Sequence, residues 1–125
     1  MQGVLLIFLG GGLGSVLRYL ISLFVNRYFV HVFPLYTLLA NVIGCFIIGF
    51  VFFLCMKKAT CFAPLKPFLM IGFCGGLTTF STFSLELVNM FRDGFYGEAL
   101  LYVFLSFVLC LFAVLLGGYL AQQIN

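Results

Sequence analysis

Charge is almost missing from this chain. Only 7% of its 125 residues are Asp, Glu, Lys or Arg, against 65% hydrophobic residues and a mean hydropathy of +1.29. That scarcity excludes an ordinary soluble domain. A lone histidine, His31, and five cysteines (Cys45, Cys55, Cys61, Cys74 and Cys110) without a CxxC or Cys/His cluster leave metal ligation and a disulfide framework unsupported. Such cysteines are expected to behave as small apolar residues. The net charge of +3 is too small and too dispersed for nucleic acid, and no soluble partner is indicated. No nucleophile, base and orienting group occur in combination, so an enzyme is not expected.

What fills the chain instead is four apolar stretches, residues 3–25, 34–56, 67–91 and 99–122, each near the ~20 residues needed to cross the hydrocarbon core. The expected fold is an all-α integral membrane protein, with residues 1–125 forming a single four-helix transmembrane domain. The first stretch lacks a basic leader and carries Arg18, so it reads as a permanent helix rather than a cleaved signal. With so little mass outside the lipid bilayer, one chain has little room to enclose a hydrophilic route, and oligomerisation is expected. Basic residues in short loops normally set orientation. Here Lys57, Lys58 and Lys66 on one side oppose Arg27 and Arg92 on the other, joined by Arg18 if it snorkels. The near balance predicts insertion in both orientations and pairing with an inverted copy.

Residues 72–84, Gly-Phe-Cys-Gly-Gly-Leu-Thr-Thr-Phe-Ser-Thr-Phe-Ser, are the most unusual segment. Gly75 and Gly76 predict a break in the third helix near mid-membrane. Irregular backbone at that depth is tolerated only where it is buried in protein or lines a water-filled path. Its freed carbonyls suit a small cation, and its freed N–H groups an anion. Thr78, Thr79, Ser81, Thr82 and Ser84 add hydroxyls that serve either charge. Phe80 and Phe83 share a helix face, and the positive edges of their rings can hold an anion weakly enough to release it.

Other stretches supply fewer polar groups. Asn41, the only carboxamide of residues 34–56, either bonds a neighbouring helix or offers its NH2 group to a solute; beside the broken segment the second role is preferred. Tyr102, Ser106 and Cys110 follow at i, i+4 and i+8, one polar stripe down the last helix. Arg18 and Glu86 are placed toward aqueous vestibules. Gly10, Gly11, Gly12, Gly14, Gly44 and Gly49 read as packing positions.

Three motifs, Gly11-Gly12-Leu13-Gly14-Ser15-Val16-Leu17-Arg18-Tyr19, Thr37-Leu38-Leu39-Ala40-Asn41-Val42-Ile43-Gly44 and Gly72-Phe73-Cys74-Gly75-Gly76-Leu77-Thr78-Thr79-Phe80-Ser81-Thr82-Phe83, carry a family resemblance. The chain resembles the Fluc (CrcB) fluoride channels across essentially its full length. The resemblance implies an antiparallel, dual-topology homodimer in the microbial cell membrane, with two pathways that passively export the fluoride ion. It implies that Asn41, Phe80 and Phe83 line each pore, that Ser81, Thr82, Tyr102 and Ser106 form a polar track, and that Arg18 is the family arginine. The backbone carbonyls of Gly75 and Thr78, with their symmetry copies, would hold a structural sodium ion. Cys110 and Val114 stand where members often have serine and threonine. The alternative reading is a small dual-topology multidrug exporter. Such proton-coupled pumps rely on a glutamate in the first helix, and residues 3–25 contain no acidic side chain.

Overall fold

The computed structural model describes residues 1–29, 33–57 and 65–124. His31, Lys58, Cys61 and Pro64 lie outside the described residues. Among the described residues, five helical segments follow one another: α1 (Gln2–Tyr28), α2 (Leu35–Lys57), α3 (67–77), α4 (Phe80–Arg92) and α5 (Tyr96–Gln123). They make four helices long and apolar enough to cross a membrane, the third being Pro67–Arg92, which contains both α3 and α4.

Local chemistry explains where the segments start and stop. Pro34 precedes α2 and Pro67 opens α3, positions where a missing N–H costs nothing. After α4, Gly94 adopts φ 83°, a left-handed conformation that glycine takes without a Cβ penalty. The Phe95 N–H then donates to the Met90 carbonyl at 2.9 Å, closing the helix end. Residues Pro67–Cys74 wind as a wide π-helix, tightening to an α-turn over Gly75–Leu77.

The third span is broken, but not where the glycines predict. Gly75 is helical, at φ −64° and ψ −35°, and the chain becomes extended only at Thr78 (−81°, 156°) and Thr79 (−152°, 122°). The physical reason lies on α2. The Asn41 side chain accepts the Thr79 N–H at 2.7 Å and donates to the Thr79 carbonyl at 3.2 Å, replacing the partners a continuous helix would supply.

The glycines serve helix contact instead. A Cβ on Gly10 or Gly14 would overlap the Phe68 or Phe73 carbonyl oxygen, and one on Gly76 would overlap that of Gly11. α1 and α3 therefore run parallel with backbones touching. α2 and α5 form a second parallel pair. Gly49 lies against the Val114 backbone and Gly118 against the Phe53 ring, while Lys57 Nζ donates to the Gln122 carbonyl at 2.7 Å. Each of these contacts joins residue i of α2 to residue i+65 of α5. That register, once set, decides every facing pair between the two helices. α4 closes the bundle by inserting Phe83 and Met90 into a cluster with Leu38, Ala99 and Tyr102.

Candidate functional site

The break, the α2–α5 pair and α4 surround a groove of ≈ 440 Å³ whose wall includes Asn41, Thr78, Thr79, Phe80, Phe83 and Ser106. Its lining is overwhelmingly apolar, so each polar atom in it acts without competition from many neighbours.

Asn41 and Ser106 occupy facing positions in the α2–α5 register. Asn41 holds Thr79 with one N–H and its carbonyl oxygen. A carboxamide has two N–H donors, so one remains for a solute. Both roles weighed from the sequence, bonding a neighbouring helix and presenting NH2, are thus compatible in one side chain. Ser106 Oγ is buried with no hydrogen-bond partner among the described residues. Burying such a hydroxyl unpaired costs about 1–3 kcal/mol, and Ser106 is among the residues that line the groove.

The hydroxyls of the third span, at the break and in α4, divide by position. Thr78 Oγ1 donates to the Cys74 carbonyl at 2.8 Å and Ser84 Oγ to that of Phe80 at 2.9 Å, so these two bond back along the chain. Thr79 caps α4: its Oγ1 accepts the Thr82 N–H at 3.2 Å and donates to Thr82 Oγ1 at 3.0 Å, with Ser81 Oγ 3.2 Å away. Thr79, Ser81 and Thr82 therefore form one hydroxyl cluster beside the break. The cap is legible as a threonine just before an apolar helical run, a signal the sequence reading did not use.

Phe80 and Phe83 sit 5.7 Å apart between ring centroids, but in different surroundings: Phe83 is buried against Tyr102, whereas Phe80 is 78% exposed and projects out of the bundle. Tyr102 is fully buried. Its hydroxyl donates to Glu86 Oε2 at 2.8 Å, while Thr37 Oγ1 donates to Glu86 Oε1 at 2.7 Å. Thr37 and Tyr102 are another i, i+65 pair, one turn from Asn41 and Ser106. Glu86 thus joins the inner polar groups to a second hollow of ≈ 300 Å³, bordered also by Asn89 and Asp93. Thr37 was not singled out from sequence, since a threonine in a first helical turn has many ordinary uses. Arg18 is half-buried on α1.

Gly75 lies on the exposed face of the break, with open space where a Cβ would be. Because Asn41 takes the Thr79 N–H, the Gly75 carbonyl loses its i+4 donor, and no donor among the described residues reaches the Gly75 or Thr78 carbonyl. Uncompensated oxygens of this kind are the donor set a hard cation requires.

Comparison with known proteins adds an independent finding. The family model described as CrcB-like protein, Camphor Resistance (CrcB), matches residues 5–118. A protein of Bacteroides fragilis named fluoride-specific ion channel FluC is 44% identical over 126 residues, covering 98% of each chain. Proteins of the same name from Shewanella frigidimarina and Flavobacterium psychrophilum are 45% and 43% identical; the first alignment covers 94% of each chain, the second 99% of this one and 100% of the relative.

Proposed function

The chain belongs to the CrcB-like family, and from that membership we propose that it is a fluoride channel exporting the ion passively across the bacterial plasma membrane, in which it is a multi-pass protein. The observation that carries this reading is the buried hydroxyl of Ser106, without a partner among the described residues, in the wall of the same mostly apolar groove as Asn41, which keeps one N–H to spare. Fluoride is small and strongly hydrated, so its path must replace lost water with closely spaced donors. Asn41 and Ser106 supply two, and the ring edges of Phe80 and Phe83 complete the coordination without a fixed positive charge.

Ser81 and Thr82 extend the donors along the break, and Tyr102 carries them toward the Glu86 end. The hydroxyl of Tyr102 can release Glu86 and turn to the ion, since Glu86 keeps Thr37. Arg18 and Glu86 act at the vestibules. The membrane potential drives the anion outward, worth about 2.3 kcal/mol per charge per 100 mV, so no coupling carboxylate or nucleotide is required.

The working unit in this proposal is an antiparallel homodimer with two pathways. The groove of one chain is open, and the exposed Phe80 ring projects from the bundle toward the place a second copy would take. The Gly75 and Thr78 carbonyls fit a structural sodium ion: each chain offers two oxygens that lack donors among the described residues, and an inverted copy would bring two more. When bound, the cation would supply fixed positive charge between the copies, and conduction needs no turnover of it. A multidrug exporter is not favoured, because α1 carries no acidic residue to couple protons.

Growth of a fluoride-sensitive bacterial strain tests the reading. Expression of this chain alone should restore growth in fluoride, and expression of Asn41→Asp should not. Failure of the unchanged, membrane-inserted chain to restore growth would point to a non-transporting subunit.

A further inference from the structure

Two of the cysteines that the sequence leaves as apolar filler occupy facing positions. Cys45 on α2 and Cys110 on α5 are an i, i+65 pair, lying between the Asn41–Ser106 pair and the Gly49–Val114 backbone contact. Both thiols are free and half-buried, and both line the groove.

We propose that Cys45 and Cys110 form a two-coordinate site for a thiophilic d10 cation such as Hg(II), set in the groove wall one helical turn from Asn41 and Ser106. Soft thiolate ligands select soft metals, and d10 cations of this type accept two thiolates in line. Among the described residues no three His, Cys, Asp or Glu side chains converge to hold a metal, which limits the coordination to this pair. Met70 and Cys74 of α3 bring two more sulfurs to the same groove and make its wall softer still. In the binding step, with HgCl2 as the source, two S–H and two Hg–Cl bonds break, two S–Hg bonds form, and two protons and two chloride ions leave to water; nothing is oxidised. The bound cation would obstruct the groove, and this functional consequence rests on the fluoride-channel reading.

The test uses the full chain with Cys55, Cys61 and Cys74 changed to Ser, leaving only the facing pair, and HgCl2 as the probe. One Hg(II) per chain should consume both thiols. Removing it should need about 10²–10⁴-fold more competing thiol than in the further Cys45→Ser or Cys110→Ser variants, the usual gain from a second tethered ligand. Should the triple change prevent folding, the unchanged chain compared with Cys110→Ser gives the same contrast. Two Hg(II) per pair, or equal ease of removal with one thiol or two, would overturn the site. Fluoride efflux measured on the same material should stop with Hg(II) and return with dithiothreitol. Continued efflux with the metal bound would overturn the obstruction. Absence of efflux before any metal is added would instead count against the channel reading, leaving the binding result to stand on its own.

Discussion

At the scale of single residues, Asn41 and Ser106 are, in the proposed channel, the groups that meet the ion inside the groove. Ser106→Ala removes a hydroxyl that has no structural partner to lose. Its effect should therefore fall on flux without weakening the fold: about a tenfold to hundredfold slower fluoride efflux, the worth of one hydrogen bond to a charged group, with an unfolding midpoint in detergent equal to or above that of the unchanged chain, since an unpaired buried hydroxyl is itself destabilising. Tyr102→Phe behaves differently, because its hydroxyl holds a half-buried carboxylate. Leaving Glu86 with Thr37 alone should lower stability by about 1–3 kcal/mol, read as a lower midpoint by circular dichroism; an unchanged midpoint would show that Glu86 does not depend on Tyr102. Most of these side chains are legible in the sequence, because a hydroxyl or carboxamide in an apolar run has few reasons to be there. Their partners are not. That Asn41 clamps Thr79, or that Thr37 and Tyr102 share Glu86, depends on a register between helices that residue types do not encode.

At the scale of helices, the α2–α5 and α1–α3 pairs rest on glycines that allow backbone contact. Gly49→Ala drives a methyl into the Val114 backbone, and overpacking of this kind costs about 1–3 kcal/mol. The loss should appear as a lower midpoint and, because the Asn41–Ser106 and Cys45–Cys110 pairs share that register, as slower efflux and weaker Hg(II) retention together. Gly97→Ala is the matching control: its methyl meets open space, and alanine favours the helix by up to about 1 kcal/mol. The four spans could be read from hydropathy alone, since length and apolarity are what the membrane requires. The site of the break could not. Gly75 and Gly76 looked like helix breakers, yet a glycine is also what close helix packing demands, and only the fold reveals which need prevailed. Asn41, some forty residues away in sequence, opens the helix at Thr79.

At the scale of the whole molecule, the proposal of two copies inserted in opposite senses draws on the near balance of basic residues between the two sides. Tags on both termini should be protected about equally on the two faces of the membrane, and a single orientation would remove the antiparallel dimer from the account. α3 and α4 are each too short to span the core, about 16 and 20 Å against about 30 Å, so the fractured span is held only by its neighbours. The most direct test of the central claim is fluoride-electrode recording from liposomes containing the purified protein, with chloride followed in parallel. Fluoride should leave rapidly once a potassium carrier balances charge, and hardly at all without it, while chloride is retained. Folded, membrane-inserted protein that releases no fluoride under these conditions, or releases chloride equally well, would contradict it.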